Sequence, residues 1–446
     1  MPNVHEPGIV PFRQFVDSLS QLRPEDHVNL PHSAIVEEAA FTEMRTYLID
    51  YYEGAESTHS FVDANGSVFD CMPVEKQYSL RRGRHPVARA PDLPTSGHRP
   101  RSDHRPARSI VQLHPQLIDP YGNAMHAPQG TIPVRRKTME NLARFRTLRE
   151  YFQKSPSGGG QPPKSSPSGG GQQPRARSSG GGKAPKASPK AQPQAGAAAV
   201  AATHRWAHAY QATNNLGGGS FLNVWDPPIG ANQIFSLSQH WYVGGSGAGL
   251  QTAECGWQVY PQMYGNTNPC LFIYWTADDY QTTGCYNLSC TAFVQTNHNW
   301  ALGGALAPVS VAGGAQKELD LAYFLYQGNW WLYAGGEAAA NAVGYYPTSV
   351  YRGGAMASHA AEIDYGGEVV GTTSFPPMGS GAFANTGWQH AAYQRQIHFF
   401  PTAGGRSDAA LTATTTSPSC YTALVATYNA PWNETLWFGG PGGSNC

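Results

Sequence analysis

The chain has 446 residues, among them 50 Gly and 35 Pro, and a formal net charge of zero. A length of this size suggests roughly two or three domains. No apolar run is long enough to span a bilayer, and the second half lacks basic patches with interleaved aromatics, which argues against a nucleic-acid partner. The zero charge conceals an asymmetry: from His204 onward there are 12 acidic and 5 basic residues, and before it 18 acidic and 25 basic. The two halves are therefore expected to attract one another.

The opening Met1-Pro-Asn-Val-His-Glu6 has no basic stretch followed by an apolar one, so no secretory leader is read from it. Residues 33–54 predict an amphipathic helix, with Ile35, Phe41, Met44, Leu48 and Tyr51 at helical spacing and Gly54 as its stop. Residues 58–71 predict a hairpin turning at Asn65-Gly66. Residues 138–153 predict a second helix, with Met139, Leu142, Phe145, Leu148 and Phe152 on one face.

Residues 154–203 change character. Ser-Pro-Ser-Gly-Gly-Gly-Gln occurs at 155–161 and again at 166–172, and the stretch holds Lys and Arg but no Asp or Glu. Such a composition cannot bury a core and predicts a disordered, protease-accessible linker. The chain thus divides into a small α+β region at 1–153, a linker at 154–203 and a domain at 204–446.

From His204 short runs rich in aromatic and β-branched residues alternate with Gly, Asn and Pro: 238–243, 255–261, 270–276, 291–296, 329–333, 343–346, 365–370 and 421–428. A weak helical stretch near 355–363 is the exception. The expected fold is all-β, an antiparallel β-sandwich.

Six of the seven cysteines lie in this domain, without metal-type spacing, which suggests disulfides and an oxidising compartment. Cys285 and Cys290 suit a small bridged loop, and Cys420 with Cys446 would pin the C-terminal segment. Cys255 and Cys270, on adjacent predicted strands, are the simplest third pair among the many that six cysteines allow. No HExxH, GxSxG or P-loop is present, and Gly244-Gly-Ser-Gly-Ala-Gly249, lacking Lys-Ser/Thr, predicts a mobile turn. The 16 His are scattered. Neither a metal nor a cofactor is expected.

Carboxylates remain. Of the six Glu after His204, Glu254 and Glu368 fall inside predicted strands, each with a Gly two residues away on its own face: Gly256 and Gly366. A missing side chain beside a carboxylate leaves room for a substrate backbone. Two facing carboxylates cannot both ionise easily, so a pair sharing a proton can activate water and then protonate a leaving amine. Gln258 shares the Glu254 face and is a candidate to hold an oxyanion. Tyr260, on that face too, is the preferred candidate to stack on substrate, ahead of Trp257, Tyr274 and Tyr365.

At these positions the chain resembles the neprosin family. The matching segments are Phe235-Ser-Leu-Ser-Gln-His-Trp-Tyr-Val243, Glu254-Cys-Gly-Trp-Gln-Val-Tyr-Pro261, Leu271-Phe-Ile-Tyr-Trp-Thr276, Gly284-Cys-Tyr-Asn-Leu-Ser-Cys290, Phe293-Val-Gln-Thr-Asn297, Gly328-Asn-Trp-Trp-Leu332, Val343-Gly-Tyr-Tyr-Pro347 and Tyr365-Gly-Gly-Glu-Val369. A weaker likeness to that family's activation region runs through Tyr52-Glu-Gly54, His59-Ser-Phe-Val-Asp63, Asp70-Cys-Met-Pro73 and Gly130-Thr-Ile-Pro-Val-Arg-Arg136.

The resemblance implies a secreted β-sandwich glutamic peptidase that cleaves after proline under acid conditions and loses an N-terminal region on activation. It places the catalytic pair at Glu254 and Glu368, the loop disulfide at Cys285 and Cys290, and the C-terminal one at Cys420 and Cys446. Two departures stand out: Cys255 after the first Glu, and Tyr365 where many relatives carry Trp, which could shift what fits beside the scissile bond. The partners expected are proline-containing peptides and proteins, and the chain's own N-terminal region as an intramolecular inhibitor, on a monomer without membrane or nucleic-acid contacts. The rival expectation is a non-catalytic, carbohydrate-binding, lectin-like sandwich. A weaker third is a Gly-rich cell-wall structural protein.

Overall fold

The computed structural model describes residues 8–83, 85–95, 110–112, 117–155 and 201–446. Most of the low-complexity stretch, 156–200, lies outside the described residues.

In the N-terminal region the helix Glu38–Tyr52 buries Phe41, Met44, Leu48, Tyr51 and Tyr52 along one stripe, the periodicity that predicted it. It begins five residues later than expected, although Ile35 is still buried ahead of it. Gly54 follows at φ +73°, a conformation glycine adopts without strain. A three-stranded sheet joins His59–Val62, Val68–Pro73 and Thr131–Arg135. The hairpin has a longer turn than Asn-Gly alone would make, because Asp63 Oδ1 accepts from the backbone N–H groups of Asn65 (2.9 Å) and Ser67 (2.8 Å).

The helix expected over 138–153 is instead two, Met139–Ala143 and Leu148–Phe152. Two threonines explain the break. Thr138 caps the first helix in a reciprocal pair with Asn141, and Thr147 caps the second by accepting from the Glu150 N–H at 3.1 Å. Phe145, between them, keeps its core position.

The second region is one large curled antiparallel sheet. Its main path runs Cys270–Thr276, Gln251–Val259, Gln233–Gly244, Ala360–Gly371, Thr203–Asn223, Gln316–Tyr326, Asn329–Ala334, Ala342–Pro347 and Val294–Gln295. The 21-residue strand Thr203–Asn223 connects two layers. Its first half pairs with Ala360–Gly371 and Thr412–Thr415, its second with Gln316–Tyr326 and Ala392–Pro401. The crossing is made at Gly217-Gly-Gly219. A Cβ on Gly217 would lie 2.1 Å from the Tyr323 carbonyl oxygen, and one on Gly218 2.3 Å from that of His398. The strands Glu434–Gly439 and Thr422–Thr427 extend the second layer.

Aromatic rings fill the space between the layers, Tyr242 meeting Tyr323, Trp330 and Tyr365. Instead of the weak helix near 355–363 there is a short 3-10 turn, Ala355–Ala357, before a strand beginning at Ala360. Gly244–Gly249 is the end of a strand and a 3-10 turn closed by the bond from Leu250 N to Gly247 O. Among the described residues no helix is long and apolar enough to cross a membrane.

Cys285–Cys290 and Cys420–Cys446 are bridged. Cys255 and Cys270 are not, which corrects the third pairing. Strand register gives the reason. Cys255 stands opposite Ile273, and Cys270 stands opposite Gln258. Side chains alternate along a strand, so Cys270 shares the Gln258 face while Cys255 points the other way, its Sγ 3.9 Å from His240 Nδ1.

A candidate active site closed by Lys154

Glu254 lies on Gln251–Val259 and Glu368 on Ala360–Gly371, with the strand Gln233–Gly244 between them. Both side chains project to the same face and both are fully buried. The sheet therefore brings together the two carboxylates expected from the sequence. Between them sits an unexpected group: Lys154 Nζ is 2.6 Å from Glu254 Oε2 and 2.9 Å from Glu368 Oε2, with no exposure of its own. One ammonium touching both oxygens sets the gap between the carboxylates at a width that a single water molecule could span.

Lys154 arrives from the C-terminal end of the Leu148–Phe152 helix. A helix of this length does not persist alone, and it is held by the β domain. Tyr274 donates to the Phe152 carbonyl (3.1 Å) and Tyr286 to the Lys154 carbonyl (2.7 Å). Tyr47 and Tyr51, on the Glu38–Tyr52 helix, donate to the carbonyls of Ser289 and Leu288 in the disulfide loop. The expected attraction between basic and acidic halves is realised at Lys154, while the other bonds just named go to neutral backbone carbonyls.

Each carboxylate has further partners. Glu254 Oε1 accepts from Thr252 (2.8 Å) and Tyr280 (2.7 Å). Glu368 Oε1 meets His204 Nδ1 at 2.5 Å, and its Oε2 accepts from the Gln239 amide at 3.3 Å. Ser155 Oγ lies 2.9 Å from the other His204 nitrogen. Trp241 and Tyr280 present their rings to Lys154 Nζ at 5.2 and 5.7 Å.

Burial opposes the charge on Glu368, but Lys154 and then His204 outweigh it and hold the carboxyl below its ordinary range. Burial likewise opposes the charge on Lys154, and the two carboxylates overcome it, so its ammonium is held above the usual lysine value. The result is a buried charge cluster whose members are paired, the condition under which buried ions persist.

The other expected site residues are placed as follows. Gln258 is on the dyad face but its amide is engaged elsewhere, donating to Tyr286 (3.1 Å) and accepting from Tyr264 (3.3 Å). Tyr260 is buried, its ring against Phe145 of the N-terminal region and Phe235. Tyr365 points between the layers, its ring 4.7 Å from His240 and its hydroxyl bonded to the His398 carbonyl. Trp257 also points inward and donates to the Asn223 carbonyl. The two glycines serve the sheet first. A Cβ on Gly256 would lie 2.0 Å from Ser238 O, and one on Gly366 2.6 Å from Ala207 O. Gln239 stands opposite both.

Residues 232–441 match the family model described as Neprosin. This stretch contains Glu254, Glu368, Gln239, Trp241, Thr252 and Tyr280; His204 and Lys154 precede it. The neprosin match supports a glutamic-type peptidase. The chain is also similar to two crystal structures of scytalido-glutamic peptidase, one with a transition state analog inhibitor (8% identity, TM-score 0.30) and one with a peptide-based transition state analog (7%, TM-score 0.28). Each likeness covers 54% of this chain and 99% of the other.

Proposed function

We propose that the protein is a zymogen of a secreted, acid-acting glutamic endopeptidase that cleaves on the carboxyl side of proline, with Glu254 and Glu368 as its water-activating pair. The observation that carries this reading is the buried Lys154 between the two carboxylates. While it is there, no water can occupy the gap, and the N-terminal region acts as an intramolecular inhibitor. When it leaves, two carboxylates are left close together without a cation, and one of them then holds a proton. The ionised partner takes a proton from water. The protonated one polarises the scissile carbonyl and afterwards protonates the leaving nitrogen. The proton count belongs to the pair rather than to either residue.

Gln239, pinned between two glycines and bonded to Glu368, is a positioning residue and a donor available to a developing oxyanion. Trp241 and Tyr280 surround the place of the lysine side chain and offer flat apolar surfaces to a pyrrolidine ring. The two disulfides support an extracellular setting.

The test is acid incubation of the full chain, followed on gels and by mass spectrometry, and then a digest of proline-containing peptides at acid and neutral pH. Loss of the N-terminal region followed by cleavage after proline is the expected result. An intact chain, or a separated β domain that cuts no peptide, would sink the reading. The rival sugar-binding reading has one observation in its favour, an open groove on the second layer lined by Trp388, Tyr428, Trp432 and Trp437. Retention on a glycan surface without any peptide cleavage would favour it.

A further inference from the structure

A second, separate contact joins the two regions. Residues 85–95, without helix or strand, lie across the outer face of the strands Gln316–Tyr326, Asn329–Ala334 and Ala342–Pro347. That face carries Phe324, Trp331, Tyr333 and Tyr345, which stand in register and point away from the packed interior, whereas Trp330 and Tyr346 point into it. The segment reads His85-Pro-Val-Ala-Arg-Ala-Pro-Asp-Leu-Pro94.

Tyr345 donates its hydroxyl to the Pro86 carbonyl and accepts from the Ala88 N–H at 3.2 Å. Tyr333 donates to the Pro91 carbonyl at 2.6 Å. Leu93 is buried among the rings, its N–H bonded to the Glu337 carbonyl at 2.9 Å, while the Asp92 carboxylate accepts from Ala339 N at 2.7 Å.

The chemistry suits a proline-containing chain. Proline has no N–H, so Pro86, Pro91 and Pro94 cannot donate the ladder bonds that an added strand would use. What it offers is outward carbonyls and apolar ring surface, and tyrosine hydroxyls on an aromatic face answer both. The contact is far from the chemistry, on different strands and on the outer side of the sheet.

We infer that this face is an exosite for extended proline-containing polypeptides, occupied in this chain by its own residues 86–94. The inference rests on the zymogen reading in one respect, that the N-terminal region departs. An aromatic face of this extent, once uncovered, is a docking surface. The occupant already seated on it shows what fits: carbonyls of two prolines on two tyrosines, and a leucine one residue before the end of the contact buried among rings.

The experiment starts from the full chain after acid incubation, with the separated β domain recovered by gel filtration and its hydrolytic activity confirmed. At neutral pH it is titrated with a synthetic peptide of residues 85–94, read by tryptophan fluorescence, with peptide integrity checked by mass spectrometry. Saturable binding is expected, weakened at least about 10-fold by a Tyr333→Phe/Tyr345→Phe domain, which keeps both rings and loses both hydroxyls, and weakened likewise by Leu93→Ala in the peptide. An active, separated domain that does not bind the peptide, or that covers the face by self-association, overturns this inference alone. A region that fails to separate overturns the zymogen reading, and the exosite falls with it.

Discussion

Lys154 Nζ lies 2.6 Å from Glu254 Oε2, a bond between residues 100 positions apart in the chain that ties the end of the N-terminal region to the middle of the β domain. The same nitrogen reaches Glu368. Removing one partner of a buried ion pair costs about 3–5 kcal/mol, because the remaining charge is left uncompensated. Lys154→Ala is therefore expected to loosen the docked N-terminal region at neutral pH, seen as faster limited proteolysis between residues 156 and 200 and a lower Tm. Unchanged proteolysis and melting would show that the remaining contacts hold the region without the ion pair, among them the tyrosine bonds to the disulfide loop and the contact of residues 85–95.

The pH dependence follows from the shifts on the two partners. Glu368 has its pKa depressed in the folded chain, so its contribution is present above the ordinary carboxylate pKa and is lost as pH falls through the depressed value. Lys154 has its pKa raised, so its contribution is present below the ordinary lysine value and is lost as pH rises through the raised one. Docking is thus expected to be strong through neutral pH and to fail on the acid side as Glu368 takes a proton and the buried ammonium loses that partner. Analytical gel filtration of linker-cleaved protein against pH checks this. Separation that is favoured at neutral pH and suppressed by acid would contradict it.

The carboxylate pair and both observed disulfides were legible in the sequence; the plug was not. Glu254 and Glu368 could be read because each falls inside a predicted strand with a glycine two residues away on its own face. Lys154 carries no such signal: it stands where a helix gives way to a Gly/Ser/Pro tract full of other basic residues. His204 did carry a signal, since His204, Trp206 and His208 alternate onto one face of a strand. That strand, Thr203–Asn223, was missed as a strand because its second half is Asn- and Gly-rich, and the glycines there serve close strand approach rather than turns. The Cys255–Cys270 pairing failed on strand parity, which spacing alone does not reveal.

Three cysteines, Cys71, Cys255 and Cys270, are buried and unpaired. Burial pushes the thiols of Cys71 and Cys270 up to about 12 and raises that of Cys255 as well. Thiol titration is expected to find none reactive in the native protein and all three after unfolding without reductant. A single reactive thiol after unfolding would restore the Cys255–Cys270 bridge and contradict the register.

Gln239 tests whether the strand between the carboxylates takes part. Its side chain is buried and bonded to Glu368. Gln239→Ala is expected to lower kcat by about 10-fold or more, as loss of a preorganised donor does, with KM little changed. Gln239→Glu would add a third carboxylate and move the pH profile. A variant with an unaltered kcat and pH profile would leave Gln239 as packing.

The central claim is that Glu254 and Glu368 carry the hydrolysis. The direct measurement is the rate of cleavage of one proline-containing peptide at acid pH by wild type, Glu254→Gln and Glu368→Gln. Each variant is processed in the linker by the wild-type enzyme, repurified, and checked for native circular dichroism. Loss of about 10²–10⁴-fold in both folded variants is the predicted result. Near-full activity in either one would contradict the account.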